Sequence, residues 1–161
     1  MREGCWQGWP CGVGEKAPDF TLKDESGKPV KLSSFQGLFG AKPVVLYFYP
    51  ADGTPGCTKQ AQALKDSFSA FKKAGAVVLG VSGDDVNSHA AFKSKLGLPY
   101  TLLADEGNKV RQMYGVPKDL LGLLEGRQTY VIGKDGTVKL VYNNQFQVET
   151  HVDQALKALA A

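Results

Sequence analysis

Apolar and polar residues follow three patterns along this chain, and together they predict its elements. Val44-Val45-Leu46-Tyr47-Phe48-Tyr49 is an unbroken run of branched and aromatic residues closed by Pro50, which reads as a buried strand. Behind it, Ala61, Leu64, Phe68 and Phe71 recur at intervals of three and four, marking one face of an amphipathic helix over 58–73. Ala76 to Ser82 is a second apolar run, so this stretch predicts a βαβ unit with parallel strands and a right-handed crossover.

Upstream, Asp19-Phe20-Thr21-Leu22 and Val30-Lys31-Leu32 alternate around Asp24-Glu25-Ser26-Gly27, a hairpin signal, and Ser33 and Ser34 are placed to cap a short turn. Downstream, Ser88 is the expected cap of a helix carrying Phe92 and Leu96 and stopped by Gly97. Leu102 and Leu103 mark a short strand, and Val110, Met113 and Tyr114 a short helix ended by Gly115. The stretches 128–132 and 138–142 flank Lys134-Asp135-Gly136 as a second hairpin, and Val148, Val152, Ala155, Leu156 and Leu159 share one face of a last helix. The sum is an α/β fold, a mixed central sheet sandwiched by helices, in one domain over 14–161. Residues 1–13 fit neither period, and their glycines and Pro10 predict a flexible arm or leader remnant.

Composition narrows the function. At 161 residues, 43% apolar and 22% charged, the chain can bury a core without staples. A net charge of +3 from scattered basic residues argues against a nucleic-acid partner. No stretch approaches the roughly 18 apolar residues of a membrane span. Three cysteines make neither a disulfide framework nor a zinc site, and His89 and His151 stand too far apart to support a metal centre or a Cys-His pair.

The candidate chemistry lies at the handover from strand to helix. In Pro50-Ala51-Asp52-Gly53-Thr54-Pro55-Gly56-Cys57, Thr54 suits the N-cap and Pro55 the first helical position, which puts Gly56 and Cys57 in the first turn. Unpaired backbone N–H groups and the positive end of the helix dipole meet there and favour a thiolate. Cys57 is thus a candidate nucleophile. The competing reading is a buried, inert cysteine.

Pro50-x-x-x-Thr54-x-x-Cys57, with Arg127 opening a later strand, resembles the active-site pattern of the peroxiredoxins, thiol peroxidases on a thioredoxin-like fold. Tyr47-Phe48-Tyr49-Pro50-Ala51-Asp52 through Lys59-Gln60, Ser82-Gly83-Asp84-Asp85, Ala104 to Val110 and Tyr142-Asn143-Asn144-Gln145-Phe146 are similar to the peroxiredoxin Q branch, also called bacterioferritin comigratory protein. The resemblance implies that Cys57 is the peroxidatic cysteine, that Thr54 and the backbone at Gly56 and Cys57 bind the peroxide, that Arg127 holds the thiolate and the breaking O–O bond, and that Pro50 shields the sulfur. It implies no cofactor, hydrogen peroxide or organic hydroperoxides as substrates, and a monomer. It also implies a plastid location for a plant or algal chain and a cytoplasmic one otherwise.

One departure stands out. Many members of the branch carry a resolving cysteine five residues after the peroxidatic one, and here that position is Gln62. Two routes remain for reducing the Cys57 sulfenic acid: an external thiol such as thioredoxin, glutaredoxin or glutathione, or Cys5 or Cys11 on the arm. The first is preferred, because ordering a glycine-rich arm over the site costs conformational entropy. Other function classes are a thiol-disulfide oxidoreductase, which the absence of C-x-x-C disfavours, and a peroxide-sensing redox-binding module.

Overall fold

The computed structural model describes residues 11–161. Its strands are β1 (Thr21–Asp24), β2 (Pro29–Lys31), β3 (Val44–Phe48), β4 (Val77–Ser82), β5 (Thr101–Ala104), β6 (Gln128–Ile132) and β7 (Val138–Asn143). The helices are α1 (Pro55–Asp66), α2 (Phe68–Lys73), α3 (Val86–Leu96), α4 (Lys109–Met113) and α5 (Thr150–Ala160), with a 3-10 turn over Leu32–Phe35. The strands form one mixed sheet in the order β2-β1-β5-β4-β3-β6-β7. Strand β3 lies parallel to β4, as the βαβ unit predicts, and antiparallel to β6, which in turn pairs antiparallel with β7 as the second hairpin predicts.

Every residue of β3 is buried, because its two faces feed two cores. Val45, Tyr47 and Tyr49 pack with Cys57, Ala61, Leu64 and Phe71 from α1 and α2 and with Val152 and Ala155 from α5. Val44, Leu46 and Phe48 pack on the opposite face with Leu79, Tyr114, Tyr130 and Cys11. A chain of hydroxyls ties α1 to the sheet. Tyr47 lies 2.9 Å from the Tyr100 hydroxyl, which donates to the Ala61 carbonyl at 3.1 Å.

Three local expectations are corrected. The amphipathic stretch over 58–73 is two helices, because the backbone leaves helical geometry at Ser67 (φ −100°, ψ 8°), a residue with weak helical preference. The N-cap of helix α3 lies three residues before the expected one. Asp85 is its N-cap and accepts the Ser88 N–H at 2.8 Å, which frees the Ser88 hydroxyl for another partner. The expected arm covers 1–13, of which 1–10 lie outside the described residues, but Cys11 is fully buried and its N–H bonds the Tyr114 carbonyl at 3.0 Å. Gly12 N–H in turn bonds the Glu15 carboxylate at 3.1 Å, so the packed domain includes residues assigned to the arm.

Helix α5 is held against β6 by His151. Its Nδ1 lies 2.7 Å from Thr129 Oγ1 and its Nε2 2.8 Å from the Asn144 carbonyl, so Nε2 carries the proton and Nδ1 accepts from the hydroxyl. Burial, opposed by the Asn144 carbonyl and reinforced by the charge of Arg127, pushes its pKa from 6.5 down to about 4. A lowered histidine pKa means that the unfolded chain binds a proton first as pH falls. This stabilisation is therefore complete above about pH 6.5 and is lost progressively towards pH 4, by up to about 3 kcal/mol. Melting curves should show a steeper fall in stability across that window for the native chain than for His151→Gln.

Candidate active site

Cys57 sits in the first turn of α1, as the strand-to-helix reading expected. Thr54 occupies the N-cap in extended geometry (φ −74°, ψ 151°), and Pro55 opens the helix. The first intrahelical bond is Thr58 N–H to Thr54 O at 2.9 Å, so the N–H groups of Gly56 and Cys57 precede the helical ladder. The Thr54 hydroxyl makes no cap bond and instead donates to the Ala51 carbonyl at 3.2 Å, which corrects the capping role expected of its side chain. Its oxygen thereby keeps its lone pairs for a further donor, on the wall of a cleft.

Arg127, one residue before β6, reaches across the sheet to the sulfur. Its Nη2 lies 3.4 Å from Cys57 Sγ, within hydrogen-bonding range for sulfur. The remaining donors are fixed: Nη1 donates to Gln60 Oε1 at 2.5 Å, and Nε to Gln145 through its side-chain Oε1 at 3.0 Å and its carbonyl at 3.2 Å. Among the described residues the guanidinium's partners besides the sulfur are the neutral amides of Gln60 and Gln145, and none of the ion pairs found there takes its charge. Glycine at position 56 makes the approach possible, since a Cβ there would stand 3.1 Å from Arg127 Nη2.

Cys57 and Arg127 are only 1% and 4% exposed. A cleft of about 240 Å³ lined by Pro50, Thr54, Gly56, Leu124, Arg127, Gln145 and Phe146 lies against them. Phe146, one of the lining residues, stands exposed.

The loop from Pro50 to Thr54 is braced from outside the cleft. Asp52 accepts from the Tyr49 hydroxyl at 2.6 Å and the Ser88 hydroxyl at 2.8 Å, and lies 2.7 Å from His89 Nδ1. The other ring nitrogen of His89 faces the Leu103 carbonyl at 2.9 Å, so both nitrogens face acceptors. Asp52 N–H donates to Asp84, which also accepts from the Ser82 hydroxyl, each at 2.7 Å. Burial raises the Asp52 pKa, but the bonds from His89, Tyr49 and Ser88 outweigh it and hold the carboxyl below its usual range. Ends of β3 and β4, helix α3 and the cleft loop are thereby tied into one polar network.

The structure brings Pro50, Thr54, Gly56, Cys57 and Arg127 together. It does not bring Cys11 to them. Cys57 is a free thiol, Cys11 is disulfide-bonded, and Cys11 packs on the opposite face of the sheet, which corrects its reading as a mobile resolving candidate. Cys5 lies outside the described residues. Gln62 is exposed on α1. Sequence reasoning missed Gln60 as a site residue, although a glutamine on the apolar face of α1, one turn beyond Cys57, is a legible anomaly. It also missed Gln145, Asp52 and His89, whose roles depend on contacts distant in the chain.

Comparison with known proteins agrees with this geometry. Residues 13–141 match the AhpC/TSA family. The chain is similar to the chloroplastic peroxiredoxin Q of Suaeda salsa, 65% identical over 146 residues that make up 91% of this chain and 66% of that protein, so it spans about two thirds of the relative's length. Among solved structures it is similar to peroxidoxin BcpB of Mycobacterium tuberculosis, at 38% identity and a TM-score of 0.82 over 92% of this chain and 96% of that one. It is also similar to the bacterioferritin comigratory protein of Xanthomonas campestris, whose structures address alkyl peroxide reduction, at 31% identity and a TM-score of 0.77 over 88% and 90% of the two chains. Among the described residues no helix is long and apolar enough to cross a membrane.

Proposed function

Because the chain belongs to the AhpC/TSA family and sits with its peroxiredoxin Q members on a thioredoxin-like fold, we propose that it is a thiol-dependent peroxidase in which Cys57 is the reacting group. The observation that carries this reading is the guanidinium of Arg127, which lines a cleft and lies 3.4 Å from a free sulfur in the first turn of a helix. Arg127 favours the ionised sulfur. A lone pair of the thiolate attacks the nearer peroxide oxygen in line and the O–O bond breaks. The other oxygen leaves as hydroxide or alkoxide, takes up a proton, and departs as water or an alcohol. The sulfur has lost two electrons and is now a sulfenic acid.

Each polar group of the cleft has a part in that step. The Thr54 hydroxyl and the N–H groups of Gly56 and Cys57 hold the peroxide oxygens, and Arg127 meets the charge that spreads along the breaking bond. Pro50 keeps water from the sulfur. Leu124 and Phe146 give the cleft an apolar side that suits the carbon skeleton of an organic hydroperoxide as well as hydrogen peroxide.

Reduction proceeds by external thiols. One thiol attacks the sulfenic sulfur and releases water, leaving a mixed disulfide, and a second thiol then frees Cys57. Thioredoxin, glutaredoxin and glutathione supply such chemistry. Gln62 in place of a resolving cysteine and the burial of Cys11 on the far face support this one-cysteine cycle. The chloroplastic relatives support a plastid location, and a monomer is the working unit. The test is to oxidise the reduced protein with one equivalent of peroxide, map disulfides by mass spectrometry, and then follow peroxide consumption with excess dithiol. Oxidised Cys57 without an intrachain partner, followed by sustained turnover, is expected. A Cys57 link to Cys5 or Cys11 would overturn the one-cysteine cycle. A single stoichiometric oxidation without turnover would favour a sensor.

A further inference from the structure

A second guanidinium lies buried behind the cleft, and the peroxide chemistry above leaves it unused. Arg111 on α4 is 2% exposed. Its backbone N–H and that of Val110 are fixed by the two carboxylate oxygens of Asp105, at 2.9 and 3.0 Å. Its side chain runs over the ring of Phe48 at 5.7 Å, and the fork then divides. Nη2 donates to the Tyr49 carbonyl at 2.6 Å and Nη1 to the Gly126 carbonyl at 2.5 Å.

These two carbonyls belong to the residues immediately before Pro50 and Arg127. The β3–β6 ladder ends with Phe48 opposite Gln128, and continuing its register sets Pro50 opposite Gly126. Proline has no N–H to offer, so the strands lose their mutual bonding where the cleft opens. Arg111 supplies donors to both strands at that point. Gly126 has no freedom to be reseated by a side chain of its own, since a Cβ there would fall 1.8 Å from the Pro117 carbonyl.

The charge of Arg111 is out of proportion to a purely architectural bridge. Its Nε has no hydrogen-bond partner, and the Glu125 carboxylate stands 3.9 Å away. Burial pulls the guanidinium's pKa down, while the charges of Glu125, Asp105 and Cys57 act in the opposite direction. A buried cation is costly unless anions nearby offset it, and Glu125, Asp105 and, in the reacting form, the Cys57 thiolate act in that direction.

We propose that Arg111 is a positioning residue for the peroxide reaction: its forked guanidinium clamps the Tyr49 and Gly126 carbonyls, and so fixes the separation of Pro50 and Arg127 across the cleft. The clamp sets how the Arg127 donors meet the peroxide, and its charge attracts that of the thiolate. This inference rests on Cys57 and Arg127 being the reacting pair.

Arg111→Lys and Arg111→Met in the full chain test it, read by the second-order rate with hydrogen peroxide, by Cys57 alkylation with iodoacetamide as a function of pH, and by thermal melting. Arg111→Lys keeps the charge and loses the fork, so its peroxide rate should fall roughly 10-fold or more while alkylation changes little. Arg111→Met loses both; its peroxide rate should fall roughly 100-fold and its alkylation should slow at acidic pH. Peroxide rates within about twofold of the native chain in folded variants would overturn the proposal, as would failure of both variants to fold, which would make Arg111 architectural. If Arg127→Ala itself left the peroxide rate unchanged, the underlying assignment of the reacting pair would fail, a result separate from any outcome at Arg111.

Discussion

Replacing Cys57 by serine should remove peroxide consumption altogether, a loss of at least about 10³-fold that reaches the background of the assay. Serine keeps the first turn of α1, its burial and its place beside Arg127, so the melting temperature should move little. Only the nucleophile changes. A hydroxyl at this site has no adjacent base among the described residues that touch the cleft, which offer Thr54, Arg127 and Gln145 as polar side chains. Coupled reductant oxidation and direct peroxide measurement should both fall to background. Residual turnover above a few per cent would show that another cysteine carries the reaction.

The second large effect is expected from Arg127→Ala, with peroxide reduction slowed about 10²- to 10³-fold, equivalent to about 3–4 kcal/mol of transition-state stabilisation. The variant should fold but melt earlier, because Gln60 and Gln145 each lose a buried charged donor, at about 1–3 kcal/mol for each acceptor left unpaired. Arg127→Lys separates charge from geometry. A lysine could hold the sulfur ionised but cannot bond Sγ, Gln60 and Gln145 at once, so it should recover alkylation by iodoacetamide better than peroxide reduction. Equal recovery of both would mean that Arg127 acts by charge alone. An unchanged peroxide rate in Arg127→Ala would remove it from the mechanism.

Much of this architecture was readable from spacing. The runs at 44–49 and 76–82 and the period of Ala61, Leu64 and Phe71 carry the central βαβ unit, because strands and helices that face a core must show it in their apolar periods. Local chemistry likewise placed Cys57, since Pro55 at the first helical position leaves little choice for where α1 begins. Features set by distant partners were not readable. Ser67 and Ser88 differ from expectation because a bend and a cap are chosen among neighbouring candidates by tertiary contacts. The Ser88 hydroxyl is drawn to Asp52, 36 positions away.

Arg127 by itself carried no signal of catalysis, being one charged residue at a strand end. Its role entered through the resemblance to the peroxiredoxins, and only the fold explains it, by setting β6 next to β3. Arg111 was less legible still. On a five-residue helix between Val110 and Gln112 it has the appearance of a solvated charge, yet its guanidinium is buried against two carbonyls. Cys11 was misjudged for a related reason. Glycines nearby suggested mobility, whereas the Tyr114 carbonyl and the apolar layer beneath the sheet anchor it.

The burial of the Cys57 sulfur has a kinetic corollary for the recycling half of the cycle. With 1% of Cys57 exposed, beside a cleft of about 240 Å³, a small solute should reach the sulfur more readily than a macromolecule does. A protein-sized electron donor should therefore reach Cys57 only after its surroundings rearrange, and regeneration by such a donor should approach a ceiling set by that rearrangement, however abundant the donor becomes.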